Sequence, residues 1–174
     1  MFHMDRYLKF PNHLILQQYN TVRRVISGKF AGLFGAGAQS AAHWGGADNL
    51  TASVLFSFGE HVGMAVQLKS DIKELENKNL VKKRIKNHDL WSPICFLLNE
   101  CIPENQRLEI SKKLQNHFDD PETVIEIIDL IEEHDLTDII KSEAEKELEL
   151  AKECLLNLQI DTRPLLQLTQ YSVI

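Results

Sequence analysis

From Leu50 to Glu76 apolar residues return every three or four positions: Val54, Leu55, Phe58, Val62, Ala65, Val66, Ile72 and Leu75. This is the repeat of a helix with one buried stripe, sustained for roughly seven turns, with Asp48 or Asn49 available as N-cap. A rod of that length needs other helices or a sheet to cover it. Nowhere does the chain alternate apolar and polar residues between turn residues, so strand signals are scarce and helices must do the covering. Pro103 and Pro121 stand where helices should begin, the latter behind a capping Asp120, and predict helices over about 104–117 and 122–133. "TDIIKSEAEKELELAKECLLNL" places Ile139, Ile140, Ala144, Leu148, Ala151 and Leu155 on one side and charges on a solvated remainder. Pro164 opens a short last helix ending near Tyr171, and "LWSPICFLLNECI" keeps helical character despite Pro93. The basic segment "ENKNLVKKRIKNHD", residues 76–89, lacks a clear apolar stripe and reads as a solvated loop. The expectation is an all-α chain forming a single domain over 1–174.

Composition narrows the partners. The formal charge is −6, so no overall positive field exists to attract nucleic acid or an anionic membrane surface. Cys95, Cys101 and Cys154 are odd in number and spaced like neither a zinc set nor a redox pair, which fits buried thiols in a reducing compartment. No segment is long and apolar enough to span a bilayer, and "MFHMDRYLKF" lacks the apolar run of a secretory signal. A cytoplasmic protein is expected.

The glycine-rich run "GKFAGLFGAGAQSAA", residues 28–42, admits two readings. As a phosphate-binding loop, "GAGAQS" would need a buried strand before it, because its glycines serve by bringing backbone up to a pyrophosphate at a helix N-terminus. The preceding "YNTVRRVISGKF" is helically spaced instead, with Val22, Val25 and Ile26 on one side. As part of a helix, Gly28, Gly32, Gly35, Ala36, Gly37, Ser40 and Ala41 form a thin face that lets a second helix approach closely. Glycine costs a helix interior about 1 kcal/mol against alanine, so that reading requires compensating packing.

On the long helix, "EHVGMAVQLKSDIKELE" puts Gln67, Asp71 and Glu74 on one narrow face. An amide and two carboxylates so placed can hold a hard cation such as Mg2+, which keeps several waters and takes phosphate oxygens at its remaining sites. The same Asp71 and Glu74, with Lys73 and Lys78, also make an ordinary salt-bridged surface.

Taken in order, "ISGKFAGLFGAGAQSAA", "FGEHVGMAVQLKSDIKELE", the basic segment and "SPICFLL" resemble the C-terminal half of the trans-isoprenyl diphosphate synthases. That family carries a lysine motif leading into a helix of small residues, then a helix of the form FGxxLGxAFQxxDDxxD, a basic loop and a further helix start. "AEKELELAKECLLNL" and "RPLLQLTQY" also look like the family's end, and the likeness runs over about residues 18–174. It implies an all-α fold around a cavity and head-to-tail prenyl transfer. In that reaction Mg2+ draws diphosphate from an allylic substrate, and isopentenyl diphosphate attacks the cation left behind. By the same resemblance Lys29, Gln67, Lys82, Lys83 and Arg84 would bind substrate diphosphate, and Asp71 and Glu74 would hold metal.

The departures are as specific. Ser70 stands where the motif has its first aspartate, Glu74 replaces its last, and Phe30 replaces the threonine after the lysine. "HFDD", residues 117–120, falls at the wrong end for the first Asp-rich motif, and the half of the family pattern that carries that motif is absent. No catalytic residue is assigned. Four readings stay open: half of a prenyl synthase, working beside a partner or cut from a longer parent; a non-catalytic regulatory subunit of a synthase; a relative of the peptide prenyltransferases of quorum-sensing pheromones; or a helical interaction domain whose matches are accidental. A partial bundle leaves apolar faces uncovered, so a homo-oligomer or a heteromer with a prenyl synthase subunit is expected.

Overall fold

The computed structural model describes residues 23–24, 27–87, 91–116 and 120–171; the opening decapeptide and residues 117–119 of "HFDD" lie outside them. A π-helical turn, Ser27–Ala31, runs into α1 (Gly32–Trp44), followed by α2 (Asn49–Leu75) and α3 (Lys78–Lys86). Then come α4 (Ser92–Phe96), prolonged by a π-helical turn Leu97–Cys101, α5 (Glu104–Asn116), α6 (Pro121–Glu133), α7 (Leu136–Leu155) and α8 (Arg163–Tyr171). The described residues contain no strand, as the absence of alternating patterns required.

Packing divides the chain into two compact units. One comprises Asp71–Ile140 with the N-terminal residues up to Arg23; the other comprises Arg24–Ser70 and the residues from Lys141 onward. The helices α2 and α7 each contribute residues to both.

In the second of these, the glycine-rich run is helix, and its glycines serve contact. A methyl group on Gly59 would sit 2.6 Å from the Phe34 carbonyl oxygen, one on Gly63 2.7 Å from the Ala31 Cα, and one on Gly35 2.9 Å from the Phe56 carbonyl oxygen. The first residues of α1 and the middle of α2 therefore meet backbone to backbone, and dispersion along that seam offsets what glycine costs each helix. Gly28 and Gly37 have no neighbour of this sort. Further along, Ala42, Ala52, Leu55, Phe58, Val62, Ala151 and Leu155 form one core, closed by half-buried Leu165 and Leu166 of α8. Asp48 starts α2 by accepting the Thr51 N–H at 2.7 Å, a bond that holds its carboxyl below the usual range.

In the unit of Asp71–Ile140, Asp120 accepts the Thr123 N–H at 2.9 Å and starts α6 with Pro121 in its first turn. Ile127, Ile131, Leu136 and Ile140 are buried along α6 and the start of α7. The basic segment departs from expectation: Lys78–Lys86 is a helix, not a loop. Asn77 caps it by accepting from the Asn79 and Leu80 amides, and Val81 and Ile85, one turn apart, are buried while the lysines between them face water. The helix packs against α6, where Lys78 pairs with Glu132.

Candidate functional site

The residues singled out by pattern divide between the two units. Gln67 is half-buried on α2, and Lys29 lies in the π-helical turn before α1, its side chain outside the described set. Lys82 and Lys83 are exposed on α3. Asp71, Glu74 and Arg84 lie in the unit of Asp71–Ile140, and there the geometry is informative.

Asp71 is only 2% exposed. Its Oδ1 accepts the Trp91 indole N–H at 3.2 Å, and its Oδ2 accepts the Ser92 hydroxyl. Both donors stand at the start of α4, so this carboxylate fixes where that helix begins. Ser92, Pro93, Ile94, Cys95 and Phe96 are all buried behind it. Burial pushes the Cys95 thiol from 9.0 up to about 12, and the Asp71 charge adds to the shift. Glu74, one turn beyond, is clasped by Arg84, whose Nε and Nη2 donate to its two oxygens at 2.8 and 2.7 Å. This bidentate pair joins the end of α2 to α3.

The resemblance implies a divalent cation at this donor set. The residues do not fit it. Asp71 is enclosed with a hydrogen bond to each oxygen, Glu74 is neutralised by a guanidinium, and Ser70 supplies a neutral, exposed hydroxyl where the family motif has a carboxylate. Among the described residues no group of three His, Cys, Asp or Glu side chains is placed to hold a metal ion. Nor is Arg84 presented to a diphosphate while it clasps Glu74. A cleft of about 430 Å³ in the same unit is lined by Leu75, Ile131, Leu136, Thr137 and the acidic Glu132, Asp135 and Asp138, with Glu132 paired to Lys78, a lining that does not suit a diphosphate.

The pattern missed one buried acid. Glu147 of α7, 1% exposed, accepts a 2.7 Å hydrogen bond from, or donates one to, His61 Nδ1 of α2, and Ser27 donates to the neighbouring Glu60. Glu147 reads as part of a solvated stripe because it sits among other glutamates; only its place beside Leu148 and Ala144 on the buried side could have marked it.

No family model matches the chain. Over 135 residues it is 27% identical to a prenyl transferase of Cyanophora paradoxa, a span of 75% of this chain and 40% of that protein. Among solved structures, geranylgeranyl pyrophosphate synthase of Lactobacillus brevis superposes with a TM-score of 0.77 at 19% identity, over 97% of this chain and 54% of that one. Decaprenyl diphosphate synthase of Rhodobacter capsulatus gives 0.73 at 21%, over 91% and 50%, and heptaprenyl diphosphate synthase of Staphylococcus aureus gives 0.73 at 21%, over 91% and 51%. The architecture is therefore that of the isoprenyl diphosphate synthases, as the resemblance implied. Within that class this chain matches a partial trans-prenyl synthase: it spans about half the length of the solved synthases it superposes on.

Proposed function

We propose that this chain acts in isoprenoid metabolism as one part of a prenyl-synthase assembly, beside the remaining half of the fold, which carries the first Asp-rich motif and is supplied by a partner or by the same longer protein. The observation that carries this reading is the coverage: nearly all of this chain is used by the match, and only about half of each synthase. Exposed apolar side chains support it, since Trp44, Leu50 and Leu33 are 92%, 76% and 69% exposed on α1 and the start of α2. Allylic and isopentenyl diphosphates, with Mg2+, belong to the assembled site. Toward it this chain would offer Lys29, Gln67, Lys82 and Lys83, whose charge and amide groups suit phosphate oxygens. The assembly would be cytoplasmic; among the described residues no helix is long and apolar enough to cross a membrane.

The test is association followed by product analysis. Light scattering should show the purified chain as an oligomer, or as a complex with a full-length synthase from the same genome, and adding it should change the amount or chain length of that synthase's product. A stable monomer that leaves such a synthase's product unchanged removes the reading.

A further inference from the structure

We infer that the acidic pair Asp71 and Glu74 is a structural bracket and not a metal site, so that these residues give the assembly scaffold while its divalent cation is held by the half of the fold that carries the first Asp-rich motif. This deepens the reading above and rests on it for the word assembly; the bracket itself stands on the chain alone. Three observations bear on it independently. The Trp91 and Ser92 donors hold one oxygen each of Asp71 toward the start of α4, and turning the carboxylate away from them to meet a cation would leave both buried without their acceptor. The cation would also shed water to enter a place where the carboxylate is 2% exposed, which Mg2+ does reluctantly. One turn on, the Arg84 guanidinium lies on both oxygens of Glu74 and sets a positive charge where the ion would need a negative one. Ser70 cannot compensate, because a neutral hydroxyl adds no charge to the set.

The acids retain a function in this arrangement. Asp71 holds the start of α4, and Glu74 holds α3, the helix that presents Lys82 and Lys83 to solvent. Residues that elsewhere in the resemblance imply metal here position two helices.

The experiment uses the full chain with Mn2+ and inorganic diphosphate as probes. In a Trp44→Phe background the only remaining tryptophan is Trp91, so its emission reports on Asp71 directly. Expected is no saturable Mn2+ uptake by electron paramagnetic resonance, with or without diphosphate, and unchanged Trp91 emission. Saturable uptake that is lost in Glu74→Gln or Asp71→Asn overturns the inference. A double-mutant cycle keeps the question answerable should a variant be unstable. Ser92→Ala should raise the unfolding equilibrium constant roughly tenfold in the wild-type chain but less than about twofold in Asp71→Ala. Equal effects in both backgrounds would mean that no bracket exists. Failure to associate with a synthase would remove the assembly and leave these results as they stand.

Discussion

Two stretches of the same helix hold their neighbours in opposite ways. Around Gly59 and Gly63, α2 has no side chain of its own at the contact, and its backbone lies against the Phe34 carbonyl, the Ala31 Cα and the Phe34 side chain. Beyond Ser70, it reaches its neighbours through Asp71 and Glu74, two carboxylates with directed donors on each oxygen. The first contact tolerates no added atom, and the second tolerates no removed one. A patterned helix can thus look uniform in its apolar stripe while its two ends depend on unrelated physics.

The largest effect should come from the polar end. Asp71→Ala strands the Trp91 N–H and the Ser92 hydroxyl and should lower stability by about 3 kcal/mol in urea unfolding; a loss below about 1 kcal/mol would show that water reaches both donors. Next is the glycine seam. Gly59→Ala drives a methyl into the Phe34 carbonyl and should cost about 2 kcal/mol, a figure that breaks the comparison if the variant proves neutral.

Alkali probes the dry packing behind Asp71. The neutral Cys95 thiol is favoured in the fold, so its contribution is complete below the ordinary 9.0 and is lost as pH rises from there toward about 12. Cys95→Ala should flatten that part of the stability profile. A smaller effect is expected from Glu74→Gln, because the Arg84 pair is half-exposed and screened by solvent: about 0.5–1 kcal/mol, diminishing in high salt. Smallest of all, Gly37→Ala meets open space and should leave the melting temperature unchanged or raise stability by less than about 1 kcal/mol. A large loss there would mean that α1 is covered on its outer face.

Much of the fold was legible because it is written locally. Asp120 followed by Pro121 marks a helix start within two residues, and the stripe of α7 from Ile140 to Leu155 is periodic without interruption. The helix α3 was not legible: its apolar stripe is only Val81 and Ile85, set among five basic residues that dominate any reading of the segment. The candidate site was legible in residue type but not in its hydrogen-bond partners. Asp71 finds its donors 20 and 21 residues away, and Glu74 its clasp 10 residues away across a turn. The spacing of Gln67, Asp71 and Glu74 along one helix carries no record of Trp91, Ser92 or Arg84. His61 and Glu147, 86 positions apart, left no trace in local pattern at all.

The seam at Gly35, Gly59 and Gly63 has one more consequence. Its glycines have no rotamers to choose among, so closing it costs side-chain freedom only at their neighbours Phe34 and Phe56. It also acts as an index stop. Turning α2 by one residue position would bring Phe58 or Met64 against main chain in place of a glycine, so the close approach requires the face of Gly59 and Gly63. The same small residues that let the two helices touch thus also choose which face of α2 is turned to α1.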